Sequence, residues 1–133
     1  MYNPFGYSFV AFVNKDTSLY LIAFEYDGDS YNSYSAFEVG YVTDEFYKCI
    51  SKYYVTEYNT FNTESGICLN MSLDQLLNLK GKECCTIKDN AIIYYLDVDN
   101  SVFVQRHKSP EYYLKCELNK GKICKFYVGF PYP

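Results

Sequence analysis

The sequence lacks the residues and motifs from which most catalytic sites are built. Its 133 residues include no tryptophan, one histidine (His107) and one arginine (Arg106). Neighbouring residues on a strand point to opposite faces, so His107 and Arg106 are not expected to serve one site. No glycine-rich loop of the Walker A or dinucleotide-binding type is present, which excludes the commonest nucleotide-binding classes. We therefore expect a protein without catalytic activity that requires no cofactor.

Metal-binding patterns are also missing. None of the six cysteines forms a Cys-x-x-Cys pair, the spacing typical of zinc ribbons and redox motifs. Two acidic turns, at residues 25–30 and 97–101, offer oxygen ligands, but neither continues to the glutamate that completes a calcium loop. Aspartate, asparagine and glycine favour turns for backbone reasons alone. The sequence therefore predicts no metal site.

Long hydrophobic runs are absent as well. The apolar stretch at residues 5–13 follows no basic segment and precedes no small-residue cleavage site. No run approaches the ~20 residues that a membrane-spanning helix needs. These features predict a soluble, cytoplasmic protein without a membrane partner, in which the six thiols are expected to be free.

Aromatic side chains are in excess, with seventeen tyrosines and ten phenylalanines. A chain of this length can bury one core, so a single domain over residues 1–133 is predicted. A buried tyrosine needs a partner for its hydroxyl, so many of these rings should lie at the edge of the core or at an interface. The alternative explanation is an AT-rich coding sequence, which would suit a viral or mobile-element accessory protein.

Hydropathy patterns predict an α+β fold. Three strands, at residues 7–14, 18–26 and 34–42, should form an antiparallel β-meander. In the first two strands the residues that point to either face are apolar, so both faces of these strands should be covered. A second antiparallel β-run should complete a sheet or half-barrel, with strands at residues 83–87, 91–98, 102–107, 112–118 and 123–130. Between the two regions, residues 59–69 are predicted to form a loop.

One principal amphipathic helix is predicted over residues 43–58, where Thr43 or Asp44 can cap the first amides. Its apolar side comprises Phe46, Cys49, Ile50 and Tyr53. A short second helix should begin at Ser72, whose spacing to Gln75 is that of a capping box, and end at Gly81. Its apolar stripe comprises Leu73, Leu76, Leu77 and Leu79.

The last two predicted strands allow a specific pairing. If residues 119–121 form a three-residue loop with Gly121 left-handed, Leu118 pairs with Lys122 and Cys116 lies opposite Cys124. That register would bring two thiols together, and a disulfide between them is the alternative in an oxidising compartment.

The net charge of −4 is unevenly distributed along the chain. Residues 1–64 carry nine acidic and three basic side chains, whereas residues 101–133 carry two acidic and six basic ones. Two patches of opposite sign are expected unless the strands interleave. The predicted partner-binding residues are Tyr47, Tyr54, Tyr58, Glu25, Asp27 and Asp29. The alternative is a basic patch for single-stranded nucleic acid, made of Lys115, Lys120, Lys122, Lys125 and Tyr113.

These features favour a small, non-catalytic intracellular module that binds another macromolecule, a protein partner, as an inhibitor or accessory factor. A nucleic-acid partner and a homo-oligomer are alternatives. The competing class is a small-molecule-binding protein or a small Cys–His enzyme. The enzyme would pair Cys68, Cys84 or Cys85 with His107, although no local signature places any of them beside it.

Overall fold

The fold is known from a computed structural model that describes residues 8–25, 36–63, 65–81, 85–95 and 113–129. The strands in these ranges are β1 (Ser8–Val13), β2 (Leu19–Glu25), β3 (Ala36–Tyr41), β4 (Tyr54–Val55), β5 (Cys85–Lys88), β6 (Ala91–Tyr95), β7 (Tyr113–Asn119) and β8 (Lys122–Gly129). The helices are α1 (Asp44–Cys49) and α2 (Leu73–Lys80). Outside the described residues lie the predicted strand at 102–107, Cys84, His107, Asp27 and Asp29.

The described strands form one sheet in the order β4-β1-β2-β3-β8-β7-β6-β5. The predicted meander is present as β1 to β3, and the second β-run supplies β5 to β8. Strand β8 pairs with β3, with Val39 opposite Phe126, so the two predicted regions join into a single sheet. The pairings are antiparallel except that β1 and β4 run parallel. The α+β prediction is confirmed, with one parallel pair that the sequence pattern did not indicate.

The predicted helix over residues 43–58 is wrong beyond Cys49. Helix α1 has six residues, and Ile50 leaves it in an extended conformation. Tyr54 and Val55 instead form β4, which pairs with the outer side of β1. Aromatic and β-branched residues favour strands, and the free edge of β1 offers unpaired backbone groups, so this pairing overrides the helical pattern.

The side chains predicted to form the apolar side of this helix nevertheless pack against one core. Phe46 and Ile50 are buried, and Cys49 and Tyr53 pack against the same core while partly exposed. Thr43 precedes α1 without making a side-chain capping hydrogen bond. The first helix is therefore held by its apolar contacts and not by its cap.

The second helix matches its prediction. Ser72 Oγ accepts a hydrogen bond from the Gln75 amide at 3.1 Å, and the Ser72 amide donates to Gln75 Oε1 at 2.9 Å, which completes the capping box. Gly81 ends the helix. Leu76 is fully buried, but Leu79 of the predicted stripe is 46 % exposed. No helix among the described residues is long and apolar enough to span a membrane.

The two helices lie on opposite sides of the sheet. Tyr20 and Ile22 of β2 pack in the core that α1 covers, whereas Leu21 between them packs against the core that α2 covers. Alternate residues of a strand point to opposite faces. The α1 core comprises Ala11, Val13, Tyr20, Ile22, Phe24, Ala36, Phe46, Ile50 and Tyr127. The α2 core comprises Val39, Ile67, Leu76, Ile92, Tyr94, Leu114, Cys116, Ile123 and Phe126.

The turn between β7 and β8 differs from the prediction. Asn119 pairs with Lys122, so the turn has two residues, Lys120 and Gly121. Both have positive φ, as a type I′ hairpin turn requires. The predicted three-residue loop is therefore wrong, because a lysine takes a left-handed conformation that was expected only at Gly121.

The shorter turn also changes how the two cysteines are placed. Leu118 pairs with Ile123 and Glu117 with Lys125, so Cys124 is an extra residue that forms a β-bulge. Cys116 lies opposite Phe126. Cys116 and Cys124 are both free thiols, so the disulfide is not formed.

Asn14 ties the hairpin of β1 and β2 to the segment that follows β4. Its side-chain oxygen accepts hydrogen bonds from the amides of Ser18 and Leu19 at 2.9 and 2.8 Å, and its amide nitrogen donates to the Asn59 carbonyl at 2.8 Å. The side chain is buried. Residues 59–63 and 65–69 form no strand, as expected of a loop, but Ile67 anchors them in the α2 core.

Candidate functional site

A cleft of about 520 Å³ opens on the α1 side of the sheet. A six-residue helix is about 9 Å long and about 10 Å wide, whereas four strands span about 14 Å, so α1 cannot cover the surface of β2, β3, β8 and β7. The residues lining the cleft are Tyr20, Ile22, Glu38, Tyr41, Thr43, Glu45, Phe46, Cys49, Ile50, Glu117, Cys124 and Lys125. The cleft is thus the space that the short first helix leaves open.

Tyr20 forms part of the cleft wall and is fixed by two neighbours on β3. Its hydroxyl donates a hydrogen bond to Glu38 Oε2 at 2.8 Å. Its ring lies over Gly40, where an added Cβ would be 2.6 Å from the hydroxyl oxygen. Burial raises the pKa of Tyr20 far above its usual value, and the charges of Glu38 and Glu117 add to this effect. The hydroxyl is therefore held as a hydrogen-bond donor.

The charged groups of the cleft are mostly acidic. In the part of the lining that the structure describes, three carboxylates, from Glu38, Glu45 and Glu117, accompany one ammonium group, from Lys125. The apolar part of the lining includes Ile22, Phe46 and Ile50. Among the described residues no group of three or more His, Cys, Asp or Glu side chains is arranged to hold a metal ion. The described part of the cleft therefore combines apolar side chains with negative charge.

Two thiols at the cleft are held as hydrogen-bond donors. Cys49 Sγ donates to Glu45 Oε1 and Cys124 Sγ donates to the Glu117 carbonyl, each at 3.4 Å. Burial and the Glu45 carboxylate raise the pKa of Cys49. A nucleophilic cysteine requires a lowered pKa, so the environment of Cys49 is opposite to that of a catalytic thiol.

The other side of the sheet has an apolar surface that α2 does not cover. Residues opposite each other in neighbouring strands share a face, which places Phe12 beside Tyr54, and Val10 beside Ala23 and then Phe37. We call this surface the open face, and it consists of Val10, Phe12, Leu19, Phe37 and Tyr54. Phe37 is 40 % and Tyr54 50 % exposed, and the other three are partly exposed.

The predicted partner-binding residues are distributed over several places. Tyr54 belongs to the open face, and Glu25 lies on the same side, about 13 Å away along the strands. Tyr47 is exposed on α1, where its ring contacts Phe46 and Tyr53. Tyr58, beyond β4, is 68 % exposed. The structure thus brings Tyr54 and Glu25 to one face but places Tyr47 with the opposite core.

The predicted basic patch is interrupted by acidic residues. Lys120 lies in the turn between β7 and β8, and Lys122 begins β8. Lys115 and Lys125 lie on the α1 side, and Glu117 stands directly opposite Lys125. Tyr113 begins β7. Because β8 inserts beside the acidic β3, the basic end of the chain does not form a separate region in this part of the sheet.

Sequence reasoning missed the cleft. Tyr20 and Glu38 line the cleft and Gly40 lies under the Tyr20 ring, and all three occupy strand positions without any motif. The available signal was the presence of a glutamate and a glycine at alternate positions of β3, on the side where Ala36 is buried. Such a pattern can mark a gap in a core, but it does not identify the residues across the gap.

In the part of the chain that the structure describes, the protein is of the α+β class, with one mostly antiparallel sheet and a helix on each side. Comparison of the chain with protein-family models, with curated proteins and with solved structures finds no match.

Proposed function

We propose that the protein is a non-catalytic module that binds a protein partner, as an inhibitor or accessory factor, through the open face. The observation that supports this proposal most directly is the set of exposed and partly exposed apolar side chains on β4, β1 and β3, namely Tyr54, Phe12, Val10 and Phe37, with the buried Ala23 of β2 between Val10 and Phe37. The largest apolar patch on the surface of a monomeric protein often has a binding role.

The composition of the open face also supports a protein partner. Phe37 and Tyr54 are aromatic side chains on a paired sheet, so they lose little conformational freedom when a partner covers them. Charged groups flank them: Lys52 Nζ lies 5.6 Å from the centre of the Tyr54 ring, and Glu25 lies at the other end. An apolar centre with a charged rim is the common arrangement of a protein interface.

The experiment is partner capture followed by measurement of affinity with the purified partner. Wild-type protein is immobilised, and proteins from cells that naturally express it are captured at low and high salt. Phe37→Thr and Tyr54→Thr introduce a β-branched residue, which favours strands, and should each weaken binding about tenfold or more, as expected for aromatic anchors. High salt should weaken capture modestly, because only the rim is charged.

Ile87→Thr is the matched control. Ile87 is 56 % exposed on β5, at the far edge of the same sheet. Its substitution should leave the affinity unchanged. Equal affinity of wild type, Phe37→Thr and Tyr54→Thr would refute the open face as the contact surface. Concentration-dependent dimerisation that these two substitutions abolish would instead identify a second copy of the chain as the partner.

A further inference from the structure

The cleft beside α1 is separate from the open face, because the two lie on opposite sides of the sheet. Its volume of about 520 Å³ lies within the range of about 300–1,000 Å³ that is usual for sites of small organic molecules. The described residues around it form no metal-binding group. A small organic molecule is therefore a more suitable occupant than a bare metal ion.

The lining restricts the charge of such a molecule. Among the described residues of the lining, Glu38, Glu45 and Glu117 supply three carboxylates and Lys125 supplies one ammonium group. With these four groups ionised, the described lining carries a net charge of −2, which attracts a cation and repels an anion. Glu38 accepts the hydrogen bond from Tyr20, and Glu45 on α1 accepts one from the Cys49 thiol. Glu117 lies on β7, opposite Lys125 of β8.

The apolar part of the lining restricts the body of the molecule. Ile22, Phe46 and Ile50 form the apolar floor of the cleft, where only 2–6 % of each residue is exposed. Phe46 packs against the Tyr20 ring at 5.2 Å between centroids, so the aromatic wall is fixed in place. Such a surface favours an apolar group, and an aromatic ring also attracts a cation placed over its face.

We propose that the cleft binds a small organic cation with an apolar body, of the arylalkylammonium or alkylammonium class. The ammonium group lies among the carboxylates of Glu45 and Glu117, and the body lies on Ile22, Phe46 and Ile50. This binding is independent of the protein interface on the open face.

Three compounds of similar size and different charge test the proposal: phenethylammonium, 2-phenylethanol and phenylacetate. Each is titrated into the full-length protein at low ionic strength, with chemical shifts or heat of binding as the readout. Phenethylammonium should bind about tenfold more tightly than 2-phenylethanol, and phenylacetate should bind most weakly. Added salt should weaken the binding of phenethylammonium and leave that of the alcohol unchanged.

Two substitutions locate the binding. Glu45→Gln and Glu117→Gln preserve the shape of the cleft and should each weaken phenethylammonium about tenfold without changing the affinity for 2-phenylethanol. Glu57→Gln is the control, because Glu57 is exposed and outside the cleft lining. Equal affinity for the cation and the alcohol, an unchanged affinity in both cleft variants, or no binding of phenethylammonium would each overturn the proposal. Phe37→Thr changes the open face and should leave the phenethylammonium titration unchanged. Failure of the cation site can therefore be distinguished from failure of the proposed protein interface.

Discussion

The two cores on either side of the sheet are closed in different ways. The α2 core is closed by an eight-residue helix with a complete capping box, and aliphatic side chains fill much of it. Ile67, Leu76, Ile92 and Ile123 are each no more than 1 % exposed. The α1 core is covered by a six-residue helix without a side-chain cap and depends on aromatic rings.

This difference explains where the cleft lies. Branched aliphatic side chains interdigitate closely, whereas large rings with polar tips must keep those tips near polar partners. Tyr20 directs its hydroxyl to Glu38, and this leaves charged groups beside an apolar wall. The cleft is thus found on the side where packing is less complete.

The strongest way to disrupt the α1 side is to place a charge in its core. Ile50 is 3 % exposed at the end of α1, so Ile50→Asp would bury an unpaired carboxylate. The loss should exceed about 4 kcal/mol and abolish cooperative unfolding of the domain. Circular dichroism during a thermal scan measures the effect.

Lys48→Asp is the control, since Lys48 is exposed on the same helix. It should change the free energy of unfolding by less than about 1 kcal/mol. An Ile50→Asp protein that melts cooperatively near the wild-type temperature would show that the α1 core is dispensable.

The α2 side should lose stability by a different mechanism. Leu76→Ala removes a fully buried side chain from a closely packed core and leaves a cavity. The free energy of unfolding should fall by about 3 kcal/mol in urea denaturation. Leu79→Ala on the same helix should cost less than about 0.5 kcal/mol, because Leu79 is largely exposed. Similar losses at the two positions would contradict the assigned orientation of α2.

The sequence was most informative where local chemistry and tertiary packing agree. Ser72, Gln75 and Gly81 specify α2 by side-chain and backbone preferences that act within a few residues. Strands β1 and β2 lie where their hydropathy pattern predicts them, because local pattern and tertiary packing agree there as well. Residues 50–58 carry a helical pattern, but Tyr54 and Val55 form a strand because they pair with the open edge of β1. Their partners on β1 lie more than forty residues earlier in the chain. A local pattern cannot include the effect of that distant edge.

Substitution of the residue that precedes each helix should reveal a smaller difference in stability between the two helices. Ser72→Ala removes the hydrogen bond to the Gln75 amide and should destabilise the protein by about 1 kcal/mol. Thr43→Ala should cost less than about 0.5 kcal/mol, because Thr43 makes no such bond. Urea denaturation of both variants tests the contrast, which equal losses would refute.

The candidate sites were harder to predict than the strands. Tyr54 and Glu25 were identified from composition and charge, and strand pairing places them on one face of the sheet. Tyr20, Glu38, Glu117 and Lys125 come from three different parts of the chain, and only the pairing of β3 with β8 brings them together. Without that pairing there is no cleft, so no sequence motif could have indicated it.

The mildest test leaves the fold intact and compares two thiols. Cys116 is fully buried, and burial raises the pKa of its thiol to about 12, whereas Cys124 is partly exposed in the cleft lining. The thiolate is the reactive form, so alkylation of native protein at about pH 8 should label Cys124 well before Cys116. Tandem mass spectrometry of timed samples measures both sites, and urea should make them equally reactive. Because the pKa of Cys116 is raised, the folded state keeps the thiol proton above about pH 8.5, where the unfolded state loses it. The stability that this protonated thiol contributes therefore decreases as the pH rises past that value. Equal labelling rates in the native protein would show that the α2 core opens as readily as the cleft, and the contrast between the two sides of the sheet would then be lost.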